Sequence, residues 1–285
     1  MPCENAAQSD DYFEFIGEYS GVVDYVKEEF NTECITVIDQ RFAIAYVPKN
    51  GRTSIYGQNC PYNTIPRCFG LMDAQMLEDV GVAQVRRSTL ELYGNGVLVG
   101  MIDTGIDYEH QAFRYEDGSS KIYSLWDQTI KGNPEDTFLG YGTEYTKEQI
   151  EEALRSKVPQ EKVPSKDESG HGTFLAGLIA GNEDNEAGFS GIAPNAGLIV
   201  VKLRKAKDYL KEYYCIDPKY EVYAETDIML AVRYIDAIAE QLQRPVVIFL
   251  GIGTSLASSW NRSIRSISVR QSYASRSRSR HKCRK

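Results

Sequence analysis

Asp103 and His171 are the two residues of this sequence whose types and surroundings best suit acid–base chemistry. Asp103 stands in the segment MIDTG (101–105), directly after an apolar run, and His171 opens the segment HGT (171–173). An imidazole can accept a proton near neutral pH, and a carboxylate can hold that imidazole in one tautomer. A charge-relay hydrolase needs this pair together with a hydroxyl or thiol nucleophile. The sequence therefore predicts two of the three members of such a relay.

The elements around both residues would present them to a common site. Residues 96–102 form a short apolar run with β-branched members and flanking glycines, which predicts a buried parallel strand with Asp103 at its carboxyl end. Apolar and small residues follow His171 at helical spacing as far as Gly181, which predicts a close-packed helix with the histidine in its first turn. Of the two other histidines, His110 is interpreted as structural and His281 belongs to the tail of the chain.

Three later segments complete a pattern that resembles the subtilases, the subtilisin-like serine proteases. FSGIAPNA (189–196) with the apolar run 198–203 resembles a turn and strand of that family, 227–242 resembles its next helix, and 245–253 resembles the strand that lines the substrate cleft. LWDQT (125–129) and YGTEY (141–145) are most similar to the subtilases of clostridia and related spore-formers, a group that includes the germination proteases. The resemblance runs from about Leu71 to about Ser255.

This resemblance implies an α/β fold, with a three-layer subtilisin-like parallel sheet flanked by helices and present here in incomplete form. It implies that His171 is the general base and that Asp103 orients and stabilises its imidazolium. Gly251, Ile252 and Gly253 would bind a protein or peptide substrate as an added strand. Calcium is a possible ligand by the same resemblance, because many relatives bind it, and no residue is assigned as a metal ligand.

The nucleophile is the difficult part of the sequence. Gly253, Thr254 and Ser255, with Ala257, imitate the nucleophile signature of subtilases, but they follow the cleft strand directly. In the family the nucleophile opens a helix much later, after further strands and after an Asn that binds the oxyanion. We therefore interpret Ser255 as a coincidence. We expect the serine-bearing half to be missing from this chain and the product to be inactive.

The final segment, 258–285, differs abruptly in composition from the rest of the chain. It is rich in Arg and Ser and has no acidic residue, although the whole chain has a formal net charge of −8. We interpret it as a frame-shifted, non-native or disordered tail. The less favoured alternative is that this segment binds nucleic acid as a partner. Its affinity for nucleic acid would then fall steeply with salt.

Residues 1–68 are predicted to form a small α+β unit before the partial catalytic domain, 69–257. Apolar residues at helical spacing from Tyr12 to Phe30 predict a helix, and Cys34 to Val47 predicts two strands joined at 39–40. By resemblance, this unit is a prodomain that acts as an intramolecular inhibitor and lays its last residues through the cleft. A permanent structural cap is the open alternative.

Two insertions distinguish this chain. The first, 108–168, is predicted to be surface elaboration near the cleft, with a turn at 118–120 and a short helix from Lys147 to Arg155. The second, 204–226, is rich in tyrosine, which suits an interface as well as ordinary packing. The sequence does not decide between those two roles.

Composition sets the remaining expectations. The chain is 42% hydrophobic, enough for a core, and it contains no apolar run long enough to cross a membrane. No signal peptide is visible, so a cytoplasmic or spore compartment is expected, with no membrane partner. The six cysteines show no paired metal spacing, so reduced thiols are expected, although Cys60 and Cys68 could close a small loop. The leading function is a serine endopeptidase, and the alternative is a pseudoprotease that binds or signals.

Overall fold

The computed structural model describes residue 3 and residues 5–56, 60–71, 92–132, 137, 139–184 and 189–253. The predicted Arg/Ser-rich tail and Ser255 lie outside the described residues. In the described part, no helix is both long and apolar enough to cross a membrane.

The described chain has a larger and a smaller unit, and a five-stranded sheet forms the centre of the larger one. Its strand order is β10-β5-β8-β6-β7, in which the first four strands run parallel and β7 pairs antiparallel with β6. The strands are β5 (Leu98–Asp103), β6 (Ile122–Asp127), β7 (Thr143–Thr146), β8 (Gly197–Lys202) and β10 (Val246–Leu250). Every residue of β5 and β8 is buried, as expected for parallel strands covered on both faces.

Helices cover both faces of this sheet. On one face, α4 (His171–Ala180) packs Leu175 and Ile179 against the side chains of β5 and β8 that point toward it. On the other face, α6 (Glu225–Gln241) packs Ile228 and Ile235 against the alternate residues of the same strands. The predicted α/β class, with a parallel sheet between two helical layers, is confirmed.

A smaller unit precedes this sheet. It consists of the antiparallel strands β1 (Tyr12–Glu18), β2 (Ile35–Val37) and β3 (Phe42–Pro48), in the order β1-β3-β2, and the helix α1 (Asp24–Phe30). The two strands expected between Cys34 and Val47 are therefore confirmed. The prediction of a helix from Tyr12 to Phe30 was wrong over its first part, because Tyr12–Glu18 is the strand β1. The strand is covered on both faces, and five consecutive residues in it are buried. It therefore lacks the alternation of buried and exposed residues that would indicate a strand.

The two units share a hydrophobic core. Phe13 and Phe15 of β1 lie in one cluster with Tyr209 and Leu210 of α5 (Asp208–Tyr213), a helix of the tyrosine-rich insertion. The ring of Tyr209 meets Phe13 edge to face at a centroid distance of 4.9 Å. Part of that insertion is therefore the surface on which the N-terminal unit packs. Its tyrosines serve both as an interface between the two units and as ordinary core packing.

The first insertion is less peripheral than the sequence suggested. The turn near Gly118 and the helix α2 (Lys147–Arg155) are confirmed, and a capping box formed by Thr146 and Gln149 starts that helix. The interpretation of the whole segment as surface elaboration was wrong, because its strand β6 lies inside the sheet and Trp126 is fully buried. A short helix, α3 (Pro159–Lys162), follows α2.

The cysteines also differ from expectation. Cys3 and Cys34 form a disulfide, so the expectation of reduced thiols throughout was wrong. That bond links the N-terminal segment to the start of β2, a proximity between distant residues that spacing cannot show. Cys60 and Cys68 are free thiols and do not close the small loop considered for them.

Strand β10 is an exposed apolar edge in the part of the chain described here. It has β5 on one side, and no described strand on the other, and Val247 exposes 61% of its surface. Apolar edge strands promote association. We expect Val247→Lys to raise the monomeric fraction of purified protein about twofold or more, measured by analytical ultracentrifugation. Val37→Lys places the same charge on β2, one of the two edge strands of the small sheet, and an equal gain there would contradict the assignment of association to β10.

Candidate active site

The two residues predicted to form a relay are in direct contact. Asp103 is the last residue of β5, and His171 is the first residue of α4. His171 Nδ1 lies 2.7 Å from Asp103 Oδ1. Asp103 is buried, whereas His171 exposes 19% of its side chain. Because an ionised carboxylate only accepts hydrogen bonds, His171 Nδ1 donates the proton and Nε2 is the nitrogen left to act as a base.

Gly172 permits the close approach of α4 to the end of β5. A Cβ atom at this position would lie 2.2 Å from the carbonyl oxygen of Gly105 and 3.2 Å from Cβ of Asp103. Any side chain would therefore push the start of the helix, and His171 with it, away from the carboxylate. Steric exclusion of a side chain thus explains why glycine stands at the second position of the HGT segment.

Gly251 closes the other side of Asp103. Asp103 Oδ1 also accepts a hydrogen bond of 2.7 Å from the backbone N–H of Thr104, whereas buried Oδ2 has no hydrogen-bond partner among the described residues. A Cβ atom on Gly251 would lie 2.0 Å from Oδ2 and 2.6 Å from Cδ1 of Leu175. This residue of the predicted substrate-binding strand therefore packs against the catalytic candidate itself.

We expect Gly251→Ala to displace Asp103 from His171. Overpacking of this kind costs about 1–3 kcal/mol, so the free energy of unfolding should fall by that amount, as measured by urea denaturation. The NMR signals of the His171 ring should move at the same time. Gly70→Ala is the matched control, because a Cβ there meets no atom within 4 Å. An unchanged His171 spectrum in Gly251→Ala would contradict the packing.

Lys202 was missed by the sequence analysis and organises the loop before His171. Its Nζ donates to the carbonyl oxygen of Lys166 at 2.5 Å and to Glu168 Oε2 at 2.8 Å, and it lies 3.8 Å from Asp127 Oδ2. Ser165 Oγ donates to the same Asp127 oxygen at 2.6 Å. The signal in the sequence was the position of Lys202 at the end of an apolar strand, and the structure pairs this residue in register with Asp103.

The predicted substrate-binding residues lie beside an extended segment of the chain itself. Ile252 and Gly253 form β11, which pairs antiparallel with β4 (Cys68–Leu71). The other edge of β4 pairs antiparallel with β9 (Tyr223–Ala224). Residues 68–71 are therefore the middle strand of a three-stranded sheet, between β11 and β9. An added peptide strand makes the same kind of backbone pairing.

A buried charge cluster joins the two units behind this site. Glu14 of β1 receives Arg204 Nη2 at 2.6 Å, Lys207 Nζ at 2.9 Å and the hydroxyl of Thr226 at 2.7 Å. Arg204 also donates from Nε to Asp227 Oδ1 at 3.0 Å. Burial alone would raise the pKa of Glu14, but the two cations hold it at about 2, below its ordinary 4.5. The N-terminal unit thus supplies the carboxylate that compensates two buried cations of the larger unit.

The described residues do not form a metal centre of side chains. No group of three or more His, Cys, Asp or Glu side chains in this part of the chain could hold an ion. His110 is exposed, and its Nδ1 accepts from the N–H of Ala112, which caps the short 3₁₀ turn Gln111–Phe113 and agrees with its structural interpretation. Calcium binding stays a prediction from the family resemblance.

A buried aspartate hydrogen-bonded to Nδ1 of a histidine is the arrangement that charge-relay hydrolases share. A sequence model of the subtilase family matches residues 94–229. Subtilisin E of Bacillus subtilis (strain 168) is 27% identical over 164 residues, which cover 56% of this chain and 29% of that protein. Residues 94–229 are therefore a match to the subtilase family.

Two further similarities have comparable extent. An intracellular serine protease of Paenibacillus polymyxa is 28% identical over 136 residues, 45% of this chain and 32% of that protein. The structure of the Clostridium perfringens CspB protease shares 29% identity, with a TM-score of 0.47, over 59% of this chain and 31% of that one. The chain thus spans about a third of the length of the proteins it matches. The closer likeness to subtilases of spore-formers stays a prediction.

Proposed function

We propose that this chain supplies the Asp103–His171 half of a subtilisin-like serine endopeptidase, and that these 285 residues alone are inactive. The observation that carries the proposal is the 2.7 Å contact between His171 Nδ1 and Asp103 Oδ1, made where β5 ends and α4 begins. In the complete enzyme, His171 Nε2 takes the proton of the attacking serine hydroxyl and later donates it to the leaving amine. Asp103 keeps the imidazole in the required tautomer and stabilises the imidazolium.

The substrate in this proposal is an extended peptide segment of a protein. The backbone of β11 and β9 would pair with it as an added strand, in the place that residues 68–71 occupy in this structure. A cavity of about 520 Å³ has Thr104, Ser169 and Tyr223 in its wall, although neither Asp103 nor His171 lines it, and it would take a substrate side chain near the pair.

The same pairing supports a role for the N-terminal unit as intramolecular inhibitor. Its chain leads into β4, and a substrate cannot pair with β9 and β11 while β4 lies between them. The shared core around Phe13 and Tyr209 and the buried charges around Glu14 support tight docking of the unit. These contacts also favour the alternative of a permanent structural cap.

A pseudoprotease that acts by binding is the second candidate function. The occupied cleft favours it, because a protein with β4 held between two strands presents no open edge there to a substrate. The retained contact between Asp103 and His171 favours the peptidase, since a protein that only binds does not need that pair.

The test of the proposal is to resequence the coding DNA beyond the codon for Ser255 and to translate all three frames. A shifted frame that encodes an Asn-bearing segment and then a second Gly-Thr-Ser would support the peptidase, and the corrected product should hydrolyse protein substrates. An Arg/Ser tail in the verified frame would contradict a peptidase function of this product and leave binding as the function to measure.

A further inference from the structure

Three side chains accept hydrogen bonds from the backbone N–H groups in the first turn of the histidine helix. The first N–H groups of a helix have no partner within it. In α4, the N–H of His171 donates to Ser169 Oγ at 3.1 Å, that of Gly172 to Thr104 Oγ1 at 3.0 Å, and that of Thr173 to Asp167 Oδ2 at 2.8 Å. The capping groups therefore come from the loop before the helix and from the residue that follows Asp103.

Thr104 ties the two catalytic candidates together through their neighbours. Its hydroxyl donates to Asp167 Oδ1 at 2.7 Å and accepts from Gly172 N and from Ser169 Oγ, each at 3.0 Å. A hydroxyl has one proton and two lone pairs, so these three bonds use its full capacity. Because Thr104 follows Asp103 and Gly172 follows His171, one buried hydroxyl fixes the distance between the two backbones.

Asp167 is the group on which this network converges. Its Oδ1 accepts from Thr104 Oγ1 and from the N–H of Gly170 at 3.0 Å, and its Oδ2 accepts from both the N–H and the hydroxyl of Thr173. Burial would raise the pKa of Asp167, but the hydrogen bonds from Thr173, Thr104 and Gly170 lower it below its ordinary value. The group is thus a carboxylate at neutral pH, and its charge faces the positive end of α4.

We propose that Asp167 is a positioning residue of the relay, which keeps Asp103 Oδ1 within hydrogen-bond reach of His171 Nδ1 by bracing Thr104 against the first turn of α4. The inference rests on the proposed function, because it assigns Asp167 a part in the same site. Asp167 acts through Thr104 and the helix, because it accepts hydrogen bonds from Thr104, Gly170 and Thr173. Its effect should therefore appear in the tautomer of His171.

The tautomers of the histidines can be read from ¹⁵N shifts of the imidazole rings, about two pH units above the ordinary histidine pKa of 6.5. Neutral His171 should carry its proton on Nδ1, since Asp103 accepts there. His110 is an internal reference with the opposite tautomer, because its Nδ1 accepts from the N–H of Ala112 at 3.2 Å. The measurement uses the whole 285-residue chain and needs no enzymatic turnover.

Asp167→Ala and Thr104→Val should each shift the tautomer ratio of His171 roughly tenfold toward Nε2–H, the effect of weakening a hydrogen bond to a charged group. Thr104→Ser keeps the hydroxyl and should restore the wild-type ratio. Thr146→Ala removes an equivalent helix cap from α2 and should lower the melting temperature without moving the His171 signals. If Asp167→Ala does not fold, the comparison of Thr104→Val with Thr104→Ser tests the proposal.

Two results would overturn the proposal in distinguishable ways. If wild-type His171 shows the Nδ1–H tautomer and both Asp167→Ala and Thr104→Val retain it, Asp167 only caps the helix and the positioning role is wrong. If wild-type His171 already shows the same tautomer as His110, the Asp103–His171 pair does not exist in solution. That second result would reject the proposed function along with this inference.

Discussion

The 285-residue chain is expected to hydrolyse peptides about 10⁶-fold more slowly than a subtilase with a complete triad. Removal of the nucleophile has a cost of that size in subtilisin itself, where only binding and oxyanion contributions remain. The same loss is expected here because the proposal assigns the serine to sequence outside these residues. The measurement is the initial rate on a fluorogenic peptide, with subtilisin E as the active reference.

His171→Ala and Asp103→Asn supply the background for that assay. Both variants should give the same residual rate as the wild-type chain, since the pair has no nucleophile to activate. A wild-type rate well above this background would contradict the proposal of an inactive chain. It would also show that a hydroxyl or thiol within the 285 residues works with His171.

Glu14→Gln is expected to lower the free energy of unfolding by about 3–5 kcal/mol at pH 7, measured by urea denaturation. The substitution leaves Arg204 and Lys207 buried without the carboxylate that both contact. Glu18→Gln is the matched control on the same strand, because its ion pair with Arg41 is largely exposed and should contribute less than about 1 kcal/mol. Equal effects of the two substitutions would show that the buried cluster does not hold the units together.

Stability should also depend on pH through Glu14. The pKa of this carboxyl is about 2 in the folded chain and 4.5 ordinarily, so the unfolded chain binds the proton more readily. The stabilisation is therefore complete above about pH 4.5 and is lost as the pH falls from there toward 2. Wild-type protein should lose stability across this range, and Glu14→Gln should lose less. Parallel pH profiles for the two proteins would contradict the assignment.

The central strand and the histidine helix could be predicted because their signals are local. β5 is a continuous apolar run between glycines, and α4 has small and apolar residues at helical spacing, so each can be recognised without knowing its neighbours. Their contact follows from topology, since Asp103 lies at the carboxyl end of a parallel strand and the helix packs on the same sheet. This much of the candidate site was predictable from residue type and order.

The features that the sequence did not predict depend on contacts between distant residues. β1 was interpreted as helix because burial on both of its faces removes the strand period. Glu14 contacts Arg204 across a separation of 190 positions, and neither residue type indicates from the sequence that it has a buried partner. Asp167 reads as an ordinary polar residue until the fold brings it to the start of α4. Lys202 ends an apolar strand, but its contacts with the loop before His171 appear only in the fold. The placement of β4 between β9 and β11 likewise depends on three separate parts of the chain.

The most direct test of the central claim is labelling by a fluorophosphonate probe, followed by peptide mapping of the modified residue. It is applied to the 285-residue chain and to the longer product that the proposed shift of reading frame would define. We expect no serine of the 285-residue chain to be labelled above the level of His171→Ala. In the longer product, one serine beyond Ser255 should be labelled only when His171 is present. Labelling of Ser255 that depends on His171 would contradict the account, and so would a longer product with no reactive serine.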